Sequence, residues 1–331
     1  MFFINKNKLP GKIINADGKP FKCKKATQIT KIFKTGIRAV DAFLTIGYGQ
    51  KMAMFGHRGT GQLTFALMLI NNSPADINVV SLVCDDSSCV FDFTDDEFIS
   101  PEARKKTVIV CSTPNDSVEQ CKKNIEKAIS LCEYYRDKGK DVLFVNYSIE
   151  NVISAYSNFC LQKGEPFSKN GYPLSMTYWY SKLMNRCVSN DKGTITTMIA
   201  KTGLQQNELD DEMINMVRKY SDGHIFLSRH NAEQDIFPAV DILGSISRYQ
   251  SDLLSQNELN AIRKLRKIFS MYMENEEFFN SDNYIEGDVA ENDLIKNTYE
   301  EIKSFIIQRR QTNSSLEETM QKLMLIASSI D

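Results

Sequence analysis

The chain has 331 residues, 42% of them hydrophobic and 25% charged, with a formal net charge of −2. This is an ordinary globular composition, with enough apolar residues for one large or two smaller domains. No run of about 18 apolar residues suggests a membrane span, and the start Met1-Phe-Phe-Ile-Asn-Lys lacks the long apolar region and small-residue cleavage site of a secretory signal.

The charge is uneven. Residues 1–34 carry nine lysines and one aspartate, a balance of +8, which leaves −10 for the rest. Such a lead-in suits a solvated extension, an acidic partner or an anionic membrane surface. Without interleaved aromatics it does not suggest nucleic-acid binding.

From residue 35 to residue 255 apolar strand candidates alternate with helical patterns. The strands are Lys51–Phe55, Asn78–Cys84, Thr107–Cys111, Asp141–Asn146, Thr194–Ile199 and Ile225–Ser228. Between them Leu63–Ile70, Val118–Asp137, Ile149–Leu161 and Met176–Cys187 have helical spacing. This alternation predicts an α/β domain with a mostly parallel sheet. From residue 256 to residue 331 the pattern is helical, over Leu259–Phe279, Leu294–Arg310 and Ser315–Ser328, with Glu274–Asp293 reading as an acidic loop. Ser314 or Ser315 is placed to cap the last helix.

The eight cysteines form no C-x-x-C pair, so buried, reduced thiols are expected rather than a disulfide framework or a zinc site. Three scattered histidines suggest no metal cluster, and no metal-ligand set is proposed.

Gly56-His-Arg-Gly-Thr-Gly-Gln-Leu63 has the glycine frame of a phosphate-binding loop, G-x-x-x-x-G-K-[ST], between a strand and a helix. Gly56, Gly59 and Gly61 remain. Gln62 takes the lysine position and Leu63 the hydroxyl position. By itself the octapeptide also reads as a Gly-rich turn.

Further motifs surround it: Thr35-Gly-Ile-Arg-Ala-Val-Asp41 before the loop, Gly164-Glu-Pro and Gly171-Tyr-Pro173 after it, then Asp222-Gly-His-Ile-Phe-Leu-Ser-Arg229 and Phe237-Pro-Ala-Val-Asp-Ile-Leu-Gly-Ser-Ile-Ser-Arg248. In order and spacing the chain resembles the ATPases of type III secretion systems and flagellar export, relatives of the rotary ATP synthase alpha and beta subunits. The resemblance runs from about Gly11 to the C-terminus. It implies a RecA-like P-loop NTPase core over residues 35–255 and a C-terminal helical domain over 256–331. Residues 1–34 resemble the exit from an N-terminal β-barrel, itself expected to be absent.

The resemblance also permits an audit of the chemistry. Phosphoryl transfer needs charge and positioning. Gln62 has no cation and Leu63 has no hydroxyl for Mg²⁺; Thr64, one residue on, points roughly 100° away. The family's Gly-Glu-Arg is matched by Cys84-Asp85-Asp86, so Asp85 is a shortened acid and Asp86 reverses a charge. Tyr147 stands where the family carries the acid at the end of the central strand. Each lost group typically costs about 10²–10³ in rate, so ATP hydrolysis is expected to be absent or strongly impaired. The alternative is an active ATPase that uses His57 or Arg58 for phosphates and Asp85 or Asp86 for metal. A third reading is the product of a split or decayed gene.

Arg248 matches the arginine offered across a subunit boundary, or else forms an interdomain salt bridge. Phe237 matches the adenine-stacking aromatic, or else packs in the core. Arg186 and Arg229 match family arginines and are expected to be structural. ATP and Mg²⁺ are therefore doubtful cofactors. The resemblance implies as partners a catalytic ATPase paralog or further copies of the chain, with stalk and stator proteins of an export apparatus. It implies a cytoplasmic location, peripheral to the inner face of the cytoplasmic membrane.

Overall fold

The computed structural model describes residues 28–84, 88–95, 98–204 and 212–330, with the side chains of residues 88, 89 and 204 outside the description. In chain order the elements are α1 (Arg38–Phe43), β1 (Lys51–His57), α2 (Gln62–Asn72), β2 (Ile77–Val83), α3 (Ser88–Asp92), α4 (Pro101–Lys105), β3 (Thr107–Ser112) and α5 (Val118–Asp137). There follow β4 (Val142–Tyr147), α6 (Ile149–Gln162), α7 (Met176–Met184), β5 (Ile195–Leu204), α8 (Glu212–Lys219), β6 (Gly223–Leu227), α9 (Arg229–Glu233), β7 (Ile246–Ser247) and α10 (Gln250–Leu253). The chain ends with α11 (Gln256–Glu274), α12 (Glu276–Phe279), α13 (Ala290–Ile306) and α14 (Leu316–Ser328).

The strands form one seven-stranded sheet in the order β3-β2-β4-β5-β1-β6-β7. The first six are parallel, and β7 closes the edge antiparallel to β6. Runs such as Ile77-Asn-Val-Val-Ser-Leu-Val83 are buried on both faces, as expected of central parallel strands covered by helices. Along β1 the pleat sends Met52 and Met54 to one core and Ala53 and Phe55 to the other. The expected α/β architecture is therefore present.

One core packs α5, α6, α7 and α8 against the sheet. The other joins α1 and α2 to the terminal helices through residues such as Phe43, Phe65, Leu265, Phe305 and Leu323. The C-terminal helices thus share a continuous apolar core with the helix that follows the glycine loop. Ser117 opens α5 with a capping box to Gln120, and Ser315, one of the two serines expected to do so, caps α14. No helix among the described residues is long and apolar enough to cross a membrane.

Three local readings need correction. The stretch expected as an acidic loop contains α12 and the start of α13, because Phe279 is an apolar anchor that stacks on Tyr272 at 5.1 Å. Strand β5 runs to Leu204 rather than stopping at Ile199, since β1 continues to pair with it through Lys201. Cysteines 111, 121, 132, 160 and 187 are free as expected, but Cys111 is exposed and Cys121 half-buried rather than buried, and Cys84 is disulfide-bonded. It follows directly on β2.

Tyr180 is fully buried under the sheet, and its hydroxyl has no hydrogen-bond partner among the described residues. An unsatisfied buried donor costs about 1–3 kcal/mol. Tyr180→Phe is therefore expected to raise stability by about 1 kcal/mol, read as a higher urea midpoint at unchanged slope. A lower midpoint would mean that the hydroxyl is satisfied.

Candidate functional site

The loop between β1 and α2 lies at the carboxyl ends of the parallel strands, where open α/β sheets bind their ligands. Its glycines are needed by its backbone. Gly59 and Gly61 have φ of +85° and +83°, a conformation that side chains with a Cβ rarely adopt. Gly56 is confined as well, because a Cβ there would meet Thr60 Oγ1 at 2.7 Å.

The loop's interior is filled by its own side chain. Gln62 is buried, and its Nε2 donates to the carbonyls of Gly56 and His57, at 2.6 Å each. The His57 carbonyl also accepts from Thr60 Oγ1 at 2.8 Å. A neutral amide therefore satisfies the carbonyls at the lysine position, without supplying a cation to phosphate oxygens. Leu63, at the hydroxyl position, packs against the apolar core shared with the C-terminal helices.

Tyr147 ends β4 on the same side. Its ring meets Phe93 edge-on at 5.2 Å, and burial pushes its hydroxyl above the usual tyrosine range. Leu63 has no side-chain oxygen and Tyr147 no carboxylate to offer a hard cation such as Mg²⁺. Among the described residues no three His, Cys, Asp or Glu side chains gather as a metal-ion set. Asp85 and Asp86 lie outside the described residues. The groups present at the loop and at the end of β4 thus do not fit Mg²⁺ held as the family resemblance implies.

A polar network that sequence reasoning missed occupies the neighbouring strand ends. Glu150, in the first turn of α6, accepts from the Thr202 amide at 3.2 Å and from the Thr202 hydroxyl. Burial raises its pKa, opposed by the Thr202 hydrogen bond and the nearby Lys201 charge. Ser148 Oγ lies 3.3 Å from Thr202 Oγ1, with Ser148 at φ +66°. Asn151 Nδ2 donates to the Val83 carbonyl at 2.8 Å. Glu150 and Thr202 are 52 positions apart, and only the pairing of β4 with β5 brings them together.

The aromatic and basic candidates separate. Phe237 is half-buried, with its ring edge 3.5 Å from where a Cβ on Gly61 would stand. It thus covers the start of α2, beside the loop. Arg58 is exposed and lies along Gly203. Arg248 follows β7, and its amide donates to the Asp222 carbonyl near the first residue of β1. The loop is at the other end of that seven-residue strand, roughly 20 Å away. Arg248 therefore cannot serve its own loop. It is exposed, with its guanidinium 5.7 Å over the Tyr249 ring and no ion pair among the described residues. Arg186 is held by Glu133, with Nε 3.2 Å from both carboxylate oxygens, and Arg229 pairs with Glu233 at 2.9 Å.

Comparison with known proteins agrees with the fold. Residues 36–247 match the nucleotide-binding domain of the ATP synthase alpha/beta family, and residues 254–325 match the T3SS EscN ATPase C-terminal domain. The flagellum-specific ATP synthase of Bacillus subtilis is 31% identical over 87% of this chain, which spans 65% of that relative's length. The type 3 secretion system ATPase of Pseudomonas syringae pv. syringae is 28% identical, over 92% of this chain and 67% of that protein. The assembled ATPase EscN of the enteropathogenic E. coli type III secretion system superimposes with a TM-score of 0.85 at 28% identity, covering 96% of this chain and 81% of EscN. By fold, motif order and sequence, the chain belongs to the ATP synthase alpha/beta family, and within it is similar to the type III secretion and flagellar export ATPases.

Proposed function

We propose that this chain is a non-hydrolysing, or strongly impaired, member of its family that serves as a structural or regulatory subunit of a protein-export apparatus. The observation that carries the reading is the side-chain set around the loop. Gln62 is satisfied by two loop carbonyls, Leu63 is committed to the core, and Tyr147 is packed on Phe93. Nothing in that set neutralises the charge that develops on a transferred phosphoryl group.

In this reading residues 35–255 form the nucleotide-binding domain and 256–331 the partner-facing helical domain. The chain assembles with a catalytic relative or with its own copies, and Arg248 is presented to the neighbour's site. Similarity to EscN, which has been solved both assembled and with its central stalk EscO, supports an oligomer that contacts a stalk protein. Attachment at the cytoplasmic side of a membrane belongs to the same proposal.

Two assays test it. The purified chain, given ATP and Mg²⁺, is expected to release phosphate no faster than a protein-free control; magnesium-dependent turnover would overturn the reading in favour of an ATPase with an atypical loop. In a complex with a catalytic relative, Arg248→Ala is expected to lower ATPase activity by about 10²-fold or more. Unchanged activity would remove Arg248 from the neighbour's site.

A further inference from the structure

The Gly61 end of the loop is physically tied to the C-terminal helices through one buried residue. Gln308 lies two positions beyond α13 and is 4% exposed. Its main-chain amide donates to the Phe237 carbonyl at 2.8 Å. Its side chain accepts from the Arg38 amide at 2.9 Å, and donates to the carbonyls of Gly36 at 2.7 Å and Thr312 at 2.8 Å. Both amide protons are therefore used, and the side chain is fixed at each end. The Arg38 guanidinium binds the adjacent Ile307 carbonyl. Gly36 also accepts weakly from Asn72, the last residue of α2, at 3.5 Å.

We propose that Gln308 is a positioning residue. It holds Phe237 against Gly61, so that displacement of α13 and α14 frees the Gly61 end of the phosphate loop, where α2 begins. The path is short and continuous. The Gln308 side chain anchors the end of α13 to the start of α1, its backbone anchors Phe237, and the Phe237 ring rests against Gly61. Packed elements linked in this way shift together, because close-packed interiors do not stretch continuously. A partner that moves the two terminal helices therefore acts directly on the Gly61 end of the loop. The inference rests on the loop being the site described above, but its readout needs no nucleotide.

The test is hydrogen–deuterium exchange on the full-length chain, comparing the natural sequence with Gln308→Ala, Gln308→Asn and the control Leu323→Ala. Leu323 is fully buried in α14 but touches neither Gln308 nor Phe237 through any hydrogen bond, and its truncation weakens the same helices. In Gln308→Ala, exchange is expected to rise about tenfold in residues 56–62 and 236–240, as well as in the adjoining 36–41. Gln308→Asn is one methylene too short to bridge Arg38 and Gly36. It is expected to give a smaller rise in the same segments, and it keeps the test available if the alanine variant does not fold. Leu323→Ala is expected to leave 56–62 within twofold of the natural chain. A rise confined to 36–41 would overturn the proposal, as would an equal rise at 56–62 in Leu323→Ala. Because the signal is read without ATP, failure here is distinct from discovery of turnover.

Discussion

Asp41→Ala is expected to destabilise the folded chain by about 3 kcal/mol or more, the largest loss from a single truncation outside the apolar core. Asp41 is buried in α1, and its two oxygens satisfy three donors. Oδ1 accepts from the Thr35 amide at 2.9 Å and the Thr35 hydroxyl at 2.7 Å, and Oδ2 accepts from the Gly36 amide at 2.9 Å. Alanine would leave these donors buried and unpaired. It would also release the turn whose carbonyl, at Gly36, receives Gln308 and Ser314 from the segment between α13 and α14.

The same carboxyl sets a pH dependence. Burial raises its pKa from 3.8 to about 6, against the opposing pull of the Thr35 and Gly36 hydrogen bonds. The folded state therefore keeps its proton to higher pH than the unfolded chain. The associated stability is fully present below about pH 4 and is lost as pH rises through about 6, a change of roughly 3 kcal/mol at most. Glu150, also raised by burial, acts in the same direction. Urea unfolding at pH values on both sides of this window is expected to show the natural chain losing stability with rising pH more steeply than Asp41→Ala. Parallel curves would mean that Asp41 keeps an ordinary carboxylate pKa in the fold.

Local order was readable from the sequence wherever a short-range signal exists. The bounds expected for α5 are those of the structure, because a long amphipathic pattern leaves little choice of frame. The strand–loop–helix context of Gly56–Leu63 followed from an apolar run ahead of two correctly spaced glycines. The expectation that Leu63 and Tyr147 lack the family's oxygen ligands needed only residue identity and the family resemblance. What the side chains do instead was not readable. Gln62 could have reached outward to a ligand, and only coordinates show it turned in on Gly56 and His57. The Glu150–Thr202 pair and the Gln308 hub join residues 52 and 272 positions apart, through chemistry that has no period and no motif. The shared core of the terminal helices and α2 escaped notice for the same reason: hydrophobic periodicity reports which face is buried and not what buries it.

Rebuilding the site should separate the contributions of the altered positions. The variant Gln62→Lys alone is expected to fold, since an ammonium can donate to the two carbonyls that now accept the glutamine amide at 2.6 Å. It should improve nucleotide binding without turnover, because a cation on the phosphates does not hold a metal. The combination Gln62→Lys, Leu63→Thr and Tyr147→Asp restores cation, hydroxyl and carboxylate together. It is expected to exceed any single replacement in Mg²⁺-dependent phosphate release by at least about 10²-fold. The gain should not be the product of separate effects, since groups that act as a unit are non-additive. It carries a structural cost: Leu63 leaves the core and Tyr147 leaves its contact with Phe93, so a loss of roughly 2–5 kcal/mol is expected and folding must be verified by circular dichroism. If Gln62→Lys by itself hydrolyses ATP as fast as the triple variant, Leu63 and Tyr147 are not what silences the site. If a folded triple variant stays inert, the obstruction lies elsewhere, and the shortened acid at Asp85 becomes the next position to restore.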